Sequence, residues 1–278
     1  GTSIDNLLDN NDDEIRGLVR DNDPPSDVTT SRSYTQAMDN FANWYSYYRR
    51  RELTSNAAVA RVINDFSGVR VGIKSIQGRI TQGVLPIHVN GTDDSQSLLK
   101  DLYGNYASGG TPLRDALEDV GQYYDDKNSY DGGIGDSPYV SQSNGGACQQ
   151  SFSIVMTDGY WNQSYSGVGN ADDTSNLSYS FQDSDGDYLY SDSYSNTLAD
   201  IAMYYYEKDL SNDLSNAVPR NPESVPTRHD PADWQHMITY GVSFGVSGTL
   251  EPSNYNLDVN ASNPDCPEWP DPGPGDKK

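Results

Sequence analysis

Basic residues are scarce. The 278-residue chain has 18 Lys+Arg against 41 Asp+Glu, a formal net charge of −23, with a pI near 4.1. Nucleic-acid binding and electrostatic docking on anionic lipid both need a basic face, so the balance argues against either role. It permits cation binding and a heavily solvated surface. Long apolar runs are absent too: no stretch approaches the roughly 18 apolar residues of a transmembrane helix. Apolar residues make up 34% of the chain, with a mean hydropathy of −0.77. Histidine is limited to His88, His229 and His236, and no HExxH or CxxC string occurs, which removes the common metallopeptidase and dithiol signatures. The Gly-Gly-Thr-Pro-Leu turn at 109–113 lacks the Lys of a phosphate-cradling loop. Glycosidase chemistry needs two opposed carboxylates, and forty-one acidic residues single out none. The chain is therefore read as not an enzyme. It opens at Gly1 without an initiator Met or a leader, and an upstream part is expected to have been processed or cut away.

Aromatic residues are abundant: 21 Tyr, 4 Trp and 5 Phe. Each buries a large area, so a folded domain with long polar insertions is expected rather than a disordered chain. Scarce Lys with plentiful Asp, Asn, Ser, Tyr and Gly suggests an extracellular or cell-surface product. The two cysteines, Cys148 and Cys266, suit one disulfide in an exported protein. It would close a loop of over a hundred residues and stabilise by about 4–5 kcal/mol in the chain-entropy account. Pairing with a part outside the chain, or two free thiols, are the alternatives.

Periodicity organises the chain. Residues 1–39 are polar and acidic, an irregular lead-in with a short helix near Ile4–Leu18. Phe41, Trp44, Tyr45 and Tyr48, then Val59, Val62, Ile63 and Phe66, follow helical spacing and predict one helix over 40–66 with its stripe on a core. Asp39 or Asn40 would cap it, Gly68 would end it, and Arg49–Arg51 would lie on a solvated mid-helix face. Residues 69–76 alternate as a strand. Helices are expected over 93–103, from Pro112 to about Tyr124, and over Tyr194–Leu210, and buried strands over 151–158 and 236–246. Residues 126–146 read as a long loop, 162–193 as an acidic insertion, and the tail after Pro264 as a Pro-rich linker. Strands alternating with helices predict an α/β fold with a mainly parallel sheet, whose ligands bind at the carboxyl ends of the strands. The expected organisation is a lead-in (1–39), one domain (40–263, with the 162–193 insertion) and a tail (264–278).

Two constellations carry candidate chemistry. Thr111 follows two glycines and precedes a helix, and Asp158 ends a buried strand before Gly159. A hydroxyl and a carboxylate there are hard oxygen ligands for Mg²⁺ or Ca²⁺; the same two residues equally suit an N-cap and a turn. In the insertion, Asp183, Asp185 and Asp187 alternate around Gly186, and Asp192 follows. Such carboxylates suit a flexible Ca²⁺ cage, although Gly stands at position 4 rather than 6 and Tyr194 where an EF-hand carries Glu; a solvated acidic loop is the alternative. Between Leu102 and Glu207 there are two basic residues against sixteen acidic ones. Tyr160 and Trp161, directly after this edge, suit contact with a protein or glycan ligand, or packing beneath the insertion.

The Thr111 and Asp158 turns resemble those of a von Willebrand factor A domain, in which a Thr and an Asp join an Asp-x-Ser-x-Ser motif around a divalent cation. Six ordered blocks narrow the resemblance: NFANWYSYYRRREL (40–53), GGTPLRDAL (109–117), CQQSFSIVMTDG (148–159), YSNTLADIAMYYYEKDL (194–210), YGVSFGVSGTL (240–250) and CPEWPDP (266–272). Together they are similar to the A-domain part of the PilY/PilC family, the tip adhesins of type IV pili in Gram-negative bacteria. The Asp-x-Ser-x-Ser motif and its hydrophobic strand do not precede residue 40. Asp27-Val28-Thr29-Thr30-Ser31 follows two prolines without an apolar run and is not that motif, so the first strand is expected upstream. The family's C-terminal β-propeller would lie beyond the tail. The resemblance implies a non-enzymatic adhesion and assembly module at the pilus tip, with minor pilins and a host or abiotic surface receptor as partners, and a cation at Thr111 and Asp158. It implies a cell-surface location after export through the periplasm. A cation-stabilised spacer or pilus-priming component without its own ligand is the alternative.

Overall fold

The computed structural model of the chain describes residues 34–78, 81–106, 108–126, 132–135, 137–157, 161–172, 192–220, 230 and 232–243. Residues 1–33 of the lead-in and the tail, with Cys266, lie outside the described residues, as do His229, Asp158, Tyr160, Asp183, Asp185 and Asp187; residues 34–39, expected to be irregular, are helical. Two compact units divide at Asp65/Phe66.

The first unit contributes helices α1 (Tyr34–Tyr48) and α2 (Arg51–Asp65). The single helix expected over 40–66 is thus two, broken at Arg49-Arg50, so the Arg triplet marks a junction rather than a mid-helix face. Helix α1 already runs at Asp39 and Asn40, so neither is a cap. Its aromatic stripe does not face a core: Trp44 is 51% exposed and Tyr48 47%. Arg49 folds back over the Tyr45 ring, 4.9 Å from its centroid, and donates to the Tyr45 carbonyl at 2.9 Å. The buried face of α2 is Asn56, Ala60 and Ile63, while Val62 of the expected stripe is exposed.

The second unit begins with strands β1 (Val69–Lys74) and β2 (Thr81–Ile87), an antiparallel pair whose register shifts between Val71 and Ile73. Strand β2 had no counterpart in the sequence reading, because TQGVLPI contains both Gly and Pro, which lower strand propensity. Helices α3 (Ser95–Tyr103) and α4 (Leu113–Tyr124) follow; Pro112 occupies the N-cap position of α4 rather than its first turn. After two short 3₁₀ turns at 142–144 and 146–148 comes β3 (Ser151–Thr157), then α5 (Leu198–Glu207) and β4 (Met237–Ser243). Strand β3 pairs with β4 in parallel, Ser151 opposite Met237 through Thr157 opposite Ser243. The class is mixed α/β, but among the described residues there are two separate two-stranded sheets, one antiparallel, rather than one mainly parallel sheet.

The core lies on one face of β3–β4. Leu117 and Tyr124 of α4, Ile201 and Tyr205 of α5, Leu210 and Met237 form one buried cluster, with Val155 and Leu198 packed on it. Helix α5 starts where Thr197 and Asp200 form a reciprocal capping box, four residues later than expected. The strands expected to be wholly buried are covered on one face only, where Ser151 and Ser153 are buried beside Val155 and Met237; on the other face Ile154 is 61% and Tyr240 53% exposed, beside Phe152 and Val242.

Polar ties finish the frame. At the carboxyl ends of α4 and α5, the Lys208 ammonium pairs with the fully buried Asp125, and Ser211 donates its hydroxyl to Asp126 at 2.8 Å. Lys74 of β1 reaches Asp119 of α4 at 2.7 Å, and the Val84 N–H donates to the Tyr123 hydroxyl at 3.0 Å, so α4 also carries the β1–β2 hairpin. Before β4, His236 lies 3.3 Å from the Asp230 carboxylate and 2.7 Å from the Trp234 carbonyl, and the Tyr206 hydroxyl donates to Asp230 at 2.9 Å.

Two predictions follow from this packing. A Cβ on Gly121 would overlap the Tyr205 ring. Gly121→Ala would gain about 1 kcal/mol of helix propensity, but overpacking at such a contact costs about 1–3 kcal/mol. The expected net result is a lower urea midpoint; a higher one would mean that Tyr205 steps aside at no cost. The second concerns acid. Burial pushes the Asp230 carboxyl up, but the hydrogen bond and charge of His236, with the Tyr206 hydroxyl and the Ala232 N–H, outweigh it and hold the group below its ordinary 3.8. A depressed carboxyl stabilises the fold above its unfolded pKa, and that contribution is lost as pH falls through the folded value. Wild type should therefore lose stability more steeply than Asp230→Asn as pH drops below about 4, as read by urea unfolding across pH; identical acid limbs would show that the Asp230 network contributes nothing.

Candidate functional site

Three segments meet beyond the carboxyl end of β3. The loop before α4 carries Thr111, the loop after β3 runs through 161–172, and the segment entering α5 runs through 192–197. Thr111 donates its N–H to the Asn162 side-chain oxygen at 2.8 Å, and the Asn162 N–H donates to the Thr111 carbonyl at 3.4 Å. This reciprocal pair joins Thr111 to the loop that leaves β3 four residues after Asp158. Gly110 makes the approach possible, because a Cβ there would stand 2.8 Å from the Asn162 oxygen.

Arg114, in the first turn of α4, is the residue that the sequence reading missed. It is 8% exposed. Its guanidinium stacks 3.8 Å from the Trp161 ring centroid, with the Tyr165 ring 5.5 Å away. One terminal nitrogen donates to the Asn196 carbonyl at 2.9 Å and the other to the Gln163 carbonyl. The side chain thus grips both sides of the insertion. Burial pushes its pKa down from the ordinary 12.5, opposed by the negative charge of Asp115, and the group stays charged at neutral pH. A signal did exist, in the form of an Arg amid apolar residues in the first turn of a helix, next to the Thr turn.

Asn196 completes the neck of the insertion. It holds a left-handed backbone, φ +63°. Its side-chain oxygen accepts from the Gly167 and Gly169 N–H groups at 2.9 and 3.0 Å, and its own N–H donates to the Gly169 carbonyl at 2.7 Å. The fully buried Asp200 accepts from the N–H groups of Ala171 and Thr197 at 2.7 Å each, and Asn170 donates to the Asp192 carbonyl at 3.0 Å. The insertion therefore leaves and re-enters the fold at one point, beside Thr111. Thr111 of one constellation and Asp192 of the other are thus both tied to the loop 161–172, through Asn162 and Asn170.

The individual candidates fare differently. Thr111 is half-buried, and its hydroxyl makes no hydrogen bond among the described residues. Asp158 and Tyr160 lie outside the described residues; Thr111 is bonded to Asn162, four positions after Asp158 in sequence. Trp161 is half-buried under Arg114 rather than displayed. Asp192 accepts from the Tyr194 N–H at 2.7 Å with one carboxylate oxygen, an Asx turn; its three expected partners lie outside the described residues. Among the described residues no group of three or more His, Cys, Asp or Glu gathers to hold a metal. One Thr hydroxyl does not hold a divalent cation by itself, since Mg²⁺ and Ca²⁺ need several oxygens, and the fit turns on Asp158. Cys148 is exposed and forms no disulfide among the described residues. No helix among these residues is long and apolar enough to cross a membrane.

No protein-family model matches the chain, and no solved structure matches it. It is similar to proteins named type IV pilus biogenesis factor PilY1. The one from Pseudomonas aeruginosa strain PAK is 31% identical over 257 residues, covering 80% of this chain and 21% of that protein. The one from strain PAO1 is 32% identical over 245 residues, covering 78% and 20%. The one from strain UCBPP-PA14 is 28% identical over 257 residues, covering 84% and 20%. The chain spans about a fifth of the length of these relatives.

The neck geometry gives a prediction. Asn196→Ala deletes two hydrogen bonds, worth about 1 kcal/mol each, and places Ala in a left-handed backbone at a cost of roughly 1 kcal/mol more. Asn196→Gly deletes the bonds without the strain. Urea unfolding should show Ala the worse of the two by about 1 kcal/mol; equal losses would mean that the left-handed backbone relaxes.

Proposed function

We propose that this chain is an adhesion and assembly module of a type IV pilus protein, acting without enzymatic chemistry at the cell surface of a Gram-negative bacterium. The observation that carries the reading is the likeness to PilY1, about 30% identity through about four-fifths of the chain. The order of its motif blocks supports a von Willebrand A-type fold, as does the parallel β3–α5–β4 connection, which is the kind of unit such a fold is built from. Its partners are minor pilins and a host or abiotic surface receptor. Thr111 and Asp158 hold a divalent cation, Mg²⁺ or Ca²⁺, with a coordination position open to an acidic ligand side chain, and Tyr160 lies on the ligand-facing rim. Asp183, Asp185, Asp187 and Asp192 hold a separate structural Ca²⁺, and Cys148 pairs with Cys266 after export.

A second reading has an observation of its own. Trp161, next to the proposed ligand edge, is stacked under Arg114, which suits a spacer or priming component whose aromatic residues serve packing.

Thermal unfolding in EDTA, Mg²⁺ and Ca²⁺ tests the cation. A native-state site raises the midpoint by about 3–5 °C at tenfold the Kd. The part of the shift owed to the edge should be lost in Asp158→Ala and the part owed to the acidic insertion in Asp185→Ala; a variant that keeps the whole shift removes its site. No shift with either ion would sink both sites. In the full-length protein, Asp158→Ala with unchanged adhesion would remove the ligand-binding role and leave the spacer.

A further inference from the structure

The geometry points to Arg114 as a positioning residue for Thr111, acting through the loop after β3. This rests on the reading of the Thr111 edge as the working edge. The guanidinium touches no group of Thr111 directly; it holds the loop on which Asn162 sits. Trp161, stacked at 3.8 Å, and Gln163, whose carbonyl accepts from Arg114, flank Asn162 in sequence. Asn162 in turn fixes Thr111 by the reciprocal bonds at 2.8 and 3.4 Å. The loop is therefore gripped on both sides of the one residue that sets the Thr111 backbone.

The choice of side chain has a physical reason. Among the described residues the hydrogen bonds of Arg114 run to main-chain carbonyls, with two aromatic rings beside its guanidinium, and no ion pair of Arg114 occurs. Only a planar fork can stack on an indole and bond two divergent carbonyls at once. Lysine keeps the charge but cannot do both. The device thus separates charge from shape, and the conservative variant tests the shape alone.

The experiment compares wild type, Arg114→Lys, Arg114→Ala and a core control, Ile201→Val, in the full chain. Hydrogen exchange is followed at the Thr111 N–H, together with the ¹⁹F resonance of Trp161 in 5-fluorotryptophan-labelled protein, assigned by its loss in Trp161→Phe. Both Arg114 variants should speed Thr111 exchange about tenfold or more through local opening and shift the Trp161 resonance, leaving that of Trp234 in place. Ile201→Val should lower the unfolding midpoint without either change. Thr111 protection that stays at the wild-type level in folded Arg114→Lys and Arg114→Ala overturns the proposal. If neither folds, Trp161→Leu removes the stacked face alone and should likewise speed Thr111 exchange; unchanged exchange there overturns it. The cation reading fails separately. A wild type with no Mg²⁺ or Ca²⁺ shift ends that reading but leaves the Thr111 result standing. A full ion shift retained in Arg114→Lys, with Thr111 released, overturns Arg114's role at the edge.

Discussion

The flat contact of Tyr205 against Gly121 sets how closely α4 and α5 approach, and the rest of the second unit is arranged around that approach. With apolar residues at only 34% of the chain, the fold cannot rely on a broad core. It gathers Leu117, Tyr124, Ile201, Tyr205, Leu210 and Met237 into one cluster on a single face of β3–β4. Large rings filling the space that a glycine leaves open supply much buried area per residue. The same helix pair is then closed at its far end by charge, through Asp125 with Lys208 and Asp126 with Ser211. A buried carboxylate is tolerable there because its partners are fixed by the helix packing itself.

The near end is closed differently. Beyond the carboxyl end of β3 the chain has to hold the two ends of an acidic insertion together without making the junction another acidic cluster. It does so with neutral acceptors: the carbonyls of Gln163 and Asn196 on Arg114, and the Asn196 amide oxygen on two glycine N–H groups. Of the two buried carboxylates there, Asp172 and Asp200, Asp200 sits at a helix N-terminus and accepts main-chain N–H groups, that of Asp172 among them, where the helix dipole favours negative charge. The consequence is a polar neck whose Arg114 holds the loop that bonds Thr111.

Much of this was legible locally. The spacing of Leu198, Ile201, Ala202 and Tyr205 marked α5, because helical periodicity is a property of neighbouring residues. The apolar runs at 151–158 and 236–246 marked β3 and β4 for the same reason. The stripe of Phe41, Trp44, Tyr45 and Tyr48 marked a helix but not its surroundings: periodicity says which residues share a face, and Trp44 and Tyr48 on that face are exposed. Strand β2 was hidden by Gly83 and Pro86, whose low propensity is overridden by pairing with β1. The Arg49-Arg50 break in the helix had no Pro or Gly to announce it.

By itself, then, the sequence determined the acidic character, the positions of the principal helices and strands, and the likeness to proteins named type IV pilus biogenesis factor PilY1. These depend on composition and on residues a few positions apart. Only the tertiary structure decided that Arg114, Trp161 and Asn196 act together, that Asn162 fixes Thr111, and that the insertion leaves the fold at the same edge. Those are contacts between residues about fifty to eighty positions apart. They exist because α4 and α5 pack side by side over β3–β4, and no periodicity in the chain encodes which loops that packing brings together.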